Sequence, residues 1–91
     1  MQTEPVIAYP NPAKDVINVR FRDGMGADSV EISVYTCSFR LVKKITAGPD
    51  ITNIYAAGLP DISNGIYYLK AVLLKDSREI FRNVQPVVVL R

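Results

Sequence analysis

The chain has 91 residues, 48% of them hydrophobic and 22% charged, which is typical of one packed domain and excludes a disordered tail. Eleven Lys and Arg residues against nine Asp and Glu residues give a net charge of +2, and no block of like charge predicts a nucleic-acid partner. Histidine is absent and Cys37 is the only cysteine, which excludes Ser-His and Cys-His catalysis, an intramolecular disulfide and a thiolate metal cluster.

The chain begins with a short segment that we interpret as a linker, residues 1–8, and the domain is predicted to span residues 9–91. The domain opens on Tyr9-Pro10-Asn11-Pro12, in which each proline fixes its own φ and keeps the preceding residue out of the helical region. The entry into the first long strand is therefore predicted to be extended and to have a set direction.

Two segments after this entry alternate apolar and polar residues with the period of two that a half-buried strand has. Further strands are predicted over residues 41–47 and 51–55. Glycine, proline, asparagine and aspartate residues between these segments mark the turns. The apolar members of the two alternating segments are Ile17, Val19 and Phe21 in the first and Val30, Ile32 and Val34 in the second.

The longest β-rich run of the chain is residues 66–74, with Tyr67, Leu69, Ala71 and Leu73 on its apolar face, opposite a face that carries Lys70. Asn64-Gly65 stands directly before this run. Because Asn-Gly before a strand is a common left-handed turn element, we predict a positive φ at Gly65.

The C-terminal part is interpreted as a hairpin loop at residues 75–79, followed by strands at 80–84 and 87–90. Pro86 between these strands cannot donate to a ladder, which places it at an edge, at a bulge or at the first residue of a strand. The apolar runs here and elsewhere in the chain are far shorter than the ~20 residues that cross a bilayer, so no membrane span is expected.

About seven short strands separated by turns are typical of a β-sandwich. We therefore predict an all-β domain, an immunoglobulin-like or fibronectin III-like antiparallel sandwich. Tyr9 is expected to join its core, whereas Tyr35 and Tyr68 fall on polar faces of their strands and are expected at the surface. The predicted core otherwise consists of Ile17, Val19, Phe21, Val30, Ile32, Val34, Tyr67 and Leu69.

The order of these motifs has a counterpart in a known family. Tyr-Pro-Asn-Pro-Ala-Lys-Asp-Val-Ile-Asn-Val at 9–19 is followed by Val-Glu-Ile-Ser-Val-Tyr at 30–35, Asn-Gly-Ile-Tyr-Tyr-Leu-Lys at 64–70 and Val-Val-Val-Leu-Arg at 87–91. In this order the chain resembles the type A C-terminal sorting domain of proteins exported by the type IX secretion system of Bacteroidota. It is also similar to the immunoglobulin-like domain of flagellar hook-capping proteins. The signature residues of the resemblance are Tyr9, Pro10, Asn11, Pro12, Gly65 and Tyr67.

The resemblance implies a C-terminal address that has no catalytic chemistry of its own. Such domains end large surface or secreted proteins and are read at the outer membrane by the export machinery. The implied partners are that machinery and the upstream cargo domains, and the implied destination, reached through the periplasm, is the cell surface or the medium. The candidate recognition residues are Val87, Val88, Val89, Leu90 and Arg91.

Two alternatives stay open at this point. The last strand either completes the core or offers its edge for strand addition, and both hold if a receptor reads the outer edge. The domain is alternatively a structural assembly module, such as a hook-capping-like scaffold or an accessory module of an extracellular enzyme. Neither alternative calls for a catalytic residue, a metal or a cofactor.

Three further clusters have ordinary structural interpretations. Asp23 and Asp28 flank glycines, but their spacing matches no EF-hand, and a turn is favoured over a calcium loop. Arg40, Lys43 and Lys44 are interpreted as a solvated strand face rather than as a binding site for an acidic polymer. The five tyrosines include surface candidates for stacking against a sugar, an interpretation ranked below packing.

Overall fold

The computed structural model describes residues 6–23, 25–49, 51–59 and 62–90. In this part of the chain seven strands pair antiparallel in two sheets. The three-stranded sheet has the order β1-β2-β5, formed by β1 (Val6–Tyr9), β2 (Val16–Phe21) and β5 (Ile54–Gly58). The four-stranded sheet has the order β4-β3-β6-β7, formed by β4 (Leu41–Ala47), β3 (Ser29–Tyr35), β6 (Gly65–Lys75) and β7 (Arg78–Val89).

The core of the sandwich lies between the two sheets and is built by the alternation seen in the sequence. All eight residues predicted to form it by strand alternation are at most 8% exposed. Phe21 on β2 meets Tyr55 on β5 edge to face, with the ring centroids 5.9 Å apart. The all-β sandwich prediction is therefore confirmed, and its apolar faces are the predicted ones. Ala71 and Leu73, predicted on the apolar face of the run at 66–74, are buried as well. Residues of β1, β5 and β7 complete the core: Val6, Ala8, Tyr55, Ala57, Val87 and Val89.

The first strand begins at Val6, inside the segment that the sequence suggested was a linker. Val6 and Ala8 are buried, whereas Ile7 and Tyr9 are 39% and 37% exposed. The expectation that Tyr9 belongs to the core is thus wrong, because successive strand residues face opposite sides and Tyr9 shares the outer side with Ile7. The two peptide bonds that precede Pro10 and Pro12 are cis.

The strand β7 is one continuous element where two strands were predicted, and it pairs with β6 along its whole length. The hairpin between β6 and β7 turns at Asp76 and Ser77, whose φ values are 52° and 64°. Two consecutive residues with positive φ are characteristic of the type I′ turn, which matches the twist of the flanking strands. The predicted loop of residues 75–79 is therefore shortened to two residues.

Pro86 lies within β7, which is the edge strand of the four-stranded sheet. Val88 directs its backbone N–H and C=O away from β6, because both bond to the segment that leads into β2. Peptide groups two residues apart on a strand point the same way, so Pro86 sits where an N–H would face away from β6. The edge position that the sequence allowed for this proline is observed, and the ladder loses no hydrogen bond.

The structure differs from two predictions about where strands begin. Gly65 has a φ of 159°, which is positive but close to extended backbone, and the residue is the first of β6 rather than part of a left-handed turn. The strand predicted at residues 51–55 begins instead at Ile54, because Asn53 before it has a φ of 57°. In the described residues there is no helix long and apolar enough to span a membrane.

Candidate recognition site at the C-terminal strand

The candidate recognition residues of the last strand divide between two faces. Val87 and Val89 are 2% and 0% exposed and belong to the core, whereas Leu90 is 49% exposed and Val88 is half-buried. Val88 and Leu90 therefore have side-chain surface accessible from outside, while Val87 and Val89 are part of the core. Arg91 lies outside the described residues.

The outer edge of this strand is joined to the proline-rich entry segment. The Val88 N–H donates to Oδ1 of Asn11 at 3.0 Å. The Ala13 N–H donates to the Val88 carbonyl at 2.7 Å, and the Leu90 N–H donates to the Ala13 carbonyl at 2.9 Å. Ala13 and Val89 thereby form a parallel bridge, and Ala13 is fully buried.

Three of the signature residues of the sequence meet at the same strand. Asn11 caps its outer edge, while Gly65 and Tyr67 on β6 pair with Val89 and Val87 on its inner edge. The Tyr67 hydroxyl donates to the Ser63 carbonyl at 2.6 Å and fixes the approach to β6.

The remaining signature residues lie apart from the strand's ladder. Tyr9 pairs with Asn18 on β2, and Pro10 and Pro12 are exposed. The motif Tyr9-Pro10-Asn11-Pro12 therefore contributes its asparagine to the site, while its prolines shape the chain on either side of that residue.

Strand addition at residues 88–90 is restricted by these contacts. A partner strand there would need the Val88 N–H, the Val88 carbonyl and the Leu90 N–H, all of which are bonded to residues 11–13. Of the two interpretations of the last strand, completion of the core and strand addition at its edge, residues 88–90 fit the first. Their outer edge is hydrogen-bonded to residues 11–13.

The aspartates interpreted as turn residues form turn hydrogen bonds, and a lysine of the basic strand face forms a surface ion pair. Asp23 accepts the Met25 N–H at 2.8 Å, and Asp28 accepts the Asp76 N–H at 2.9 Å, as turn-capping carboxylates do. Within the described residues no group of three His, Cys, Asp or Glu side chains is placed to hold a metal. Lys44 lies 3.3 Å from Glu31 on the neighbouring strand.

A second ion pair joins Arg82 to Glu79 on β7, with 2.8 Å between Nη2 and Oε1. The hydrogen bond from Arg82 to Glu79 and the charge of Glu79 raise the pKa of the guanidinium. The pair places a cation beside this carboxylate on the same strand.

Sequence reasoning missed an aromatic group on the outer face of the four-stranded sheet. Phe39, in the loop between β3 and β4, stacks on Tyr68 with ring centroids 5.6 Å apart and an interplanar angle of 14°. Nζ of Lys70 lies 5.6 Å from the centroid of the Tyr35 ring. The polar-face assignment of Tyr35 and Tyr68 was the available signal, but Phe39 lies in a loop, where no strand periodicity applies.

Together these features define a small immunoglobulin-like β-sandwich whose last strand is held between β6 and the entry segment. The family model described as "Secretion system C-terminal sorting domain" matches residues 7–80. The chain therefore belongs to this family, which confirms its resemblance to the sorting domains of the type IX system. The search of curated proteins finds no match.

Two solved structures share the fold at low sequence identity. CopC from Methylosinus trichosporium OB3b matches with a TM-score of 0.67 and 17% identity over 92% of each chain. Dimeric latent PorU from Porphyromonas gingivalis matches with a TM-score of 0.71 and 19% identity. The match covers 93% of this chain and 9% of the PorU chain. These likenesses establish the sandwich, and the family match establishes the sorting-domain class.

Proposed function

We propose that this domain is a non-catalytic sorting signal, recognised at the outer membrane by secretion machinery that carries the attached upstream protein from the periplasm to the cell surface or the medium. The family match over residues 7–80 is the observation that supports the class of function. The last strand supports a role for its exposed side chains, because its core residues are needed for folding and its outer edge is bonded to residues 11–13.

The proposal is tested by fusing the whole chain behind a periplasmic reporter in a host that has a type IX system. The measurement is the fraction of reporter that protease added to intact cells can reach. We expect the fusion to reach the surface and the unfused reporter to stay in the periplasm. A fusion that stays inside the cell would contradict the sorting function and favour a scaffold role.

Recognition of the last strand is tested with Leu90→Asp and Arg91→Ala. The Leu90 side chain is half exposed and only its backbone is bonded to Ala13, so Leu90→Asp should fold yet lower export. Ile51→Asp is the matched control, because Ile51 is fully exposed in the turn between β4 and β5. Thermal melts check that all variants are folded. Equal export of the folded variants and the control would remove residues 90–91 from the recognition site.

A further inference from the structure

A row of large side chains crosses the outer face of the four-stranded sheet. The register places Leu41 opposite Tyr35, Tyr35 opposite Tyr68 and Tyr68 opposite Pro86, one residue on each strand. Since neighbouring strands lie about 4.8 Å apart, the row is roughly 14 Å wide. We call the surface formed by Leu41, Tyr35, Tyr68 and Pro86, together with Phe39, Lys70 and Val84, the outer patch.

Phe39 in the outer patch is held in place although it contributes nothing to the core. Its side chain is 72% exposed and its φ is 63°, a conformation that bulky residues seldom adopt. The turn that carries it is closed by hydrogen bonds from the Phe39 N–H to the Thr36 carbonyl and from the Thr36 N–H to the Arg40 carbonyl. An exposed ring that is ordered before binding loses little entropy when a partner covers it.

The outer patch also contains a shallow cavity of about 210 Å³, lined by Tyr35, Phe39, Tyr68, Lys70 and Val84. Aromatic side chains around a recess of this size are typical of the centre of a protein interface, where one apolar side chain of the partner is buried. Val84 is 53% exposed and Leu41 49% exposed, so apolar surface continues on both sides of the recess.

The charge on this surface is positive next to the recess. Lys70 lines it, and the exposed Arg40 follows Phe39 directly. The described carboxylates that the register places on this face, Glu31 and Glu79, are paired with Lys44 and Arg82. A complementary partner therefore carries carboxylates around its apolar side chain.

We propose that the export machinery docks on the outer patch through a protein surface that presents an apolar side chain flanked by Asp or Glu. This inference rests on the proposed sorting function and adds a surface separate from the last strand's terminal residues. A second copy of this chain fits less well, because the cations beside the two recesses would face each other. An acidic polysaccharide fits less well too, because Leu41, Val84 and Pro86 offer no side-chain hydrogen bonds to sugar hydroxyls.

The test uses the same reporter fusion of the whole chain with Phe39→Ala, Lys70→Glu and Lys70→Arg. Truncation of an interface hot spot weakens binding by roughly tenfold or more, so Phe39→Ala and Lys70→Glu should each lower surface delivery severalfold. Lys70→Arg keeps the charge and should be delivered as the unchanged chain is. Matched controls are Ile51→Ala, an exposed apolar loop residue, and Arg20→Glu, an exposed cation on the other sheet. Thermal melts and sedimentation of the purified variants accompany the export assay.

Loss of delivery in Phe39→Ala and Lys70→Glu, with folded proteins and normal delivery of both controls, supports docking on the outer patch. Normal delivery of those two variants overturns it and leaves the sorting function intact. Failure of the unchanged chain to reach the surface overturns both proposals at once. Sedimentation as a dimer that Phe39→Ala abolishes, or binding of polygalacturonate that Lys70→Glu abolishes, assigns the patch to a different occupant and also overturns the proposal.

Discussion

Asn11 contributes a single side-chain hydrogen bond to the last strand, from the Val88 N–H to its Oδ1. We expect Asn11→Ala to lower the free energy of unfolding by about 0.5–1.5 kcal/mol, near the lower end because water reaches this exposed bond. Asn11→Asp keeps the acceptor oxygen and should retain most of the stability. Equilibrium urea unfolding measures both variants, and equal midpoints for Asn11→Ala and the unchanged chain would show that the bond adds nothing.

Single residues also show where sequence reasoning succeeded. The alternation of Ile17, Val19 and Phe21 predicted their burial because one face of their strand must be covered. The prediction places Tyr9 in the core, whereas the alternation of side chains along β1 turns it outward. Side-chain parity along a paired strand is thus a better guide than hydrophobicity.

At the scale of elements, the proline in β7 shows that local sequence signals do not reveal which strands are neighbours. The sequence predicts two strands separated at Pro86, since a missing N–H breaks a ladder in a central strand. Whether the missing N–H matters depends on which neighbours the strand has, and that is a property of the sheet. The short β1 was missed for a related reason, because four residues give too few alternations to identify a strand by period.

The orientation of peptide groups along β7 leads to a test by proline substitution. Val84→Pro places the missing N–H on the side away from β6, and it should be tolerated better than Gln85→Pro. Gln85 pairs with Leu69, so a proline at position 85 leaves the buried Leu69 carbonyl without its N–H donor. This should lower the free energy of unfolding further, by about 1–3 kcal/mol. Chemical denaturation compares the two variants.

Gln85→Ala is the control for the proline test, because the Gln85 side chain itself bonds to Asn83 and to the Val6 carbonyl. If Val84→Pro and Gln85→Pro were equally destabilised after this correction, the assigned orientation of the peptide groups in β7 would be wrong.

At the scale of the whole molecule, the sequence motifs predicted the class of fold because many weak signals agree on one sandwich. The docking surface was not predictable in the same way. The outer patch combines residues of β3, β4, β6 and β7 with one loop residue, and their adjacency follows from strand order and register. Neither the strand order nor the register is encoded in the hydrophobic period of any single segment.

The family match ends at residue 80, yet the sandwich depends on residues beyond it. Removing residues 87–91 deletes Val87 and Val89, whose burial is worth about 1.5–3 kcal/mol each. A domain of this size has a total stability of roughly 5–14 kcal/mol, so we expect this truncation to lose cooperative thermal unfolding. Removing only residues 90–91 spares both valines and should leave a cooperative melt. A cooperative transition in the shorter chain would show that the last strand is dispensable for folding.

The contact between Asn11 and Val88 joins residues 77 positions apart in the chain. During translation the entry segment leaves the ribosome long before the residues that will cover it have been made. Because contacts of such large sequence separation form late and close a long loop, β7 docks on the entry segment only after the residues between Asn11 and Val88 have been made. A polypeptide that lacks residues 88–90 therefore never assembles this junction. The completed sandwich thus depends on contacts between segments from opposite ends of the described chain, and a chain that lacks residues 88–90 differs in its fold from one that has them.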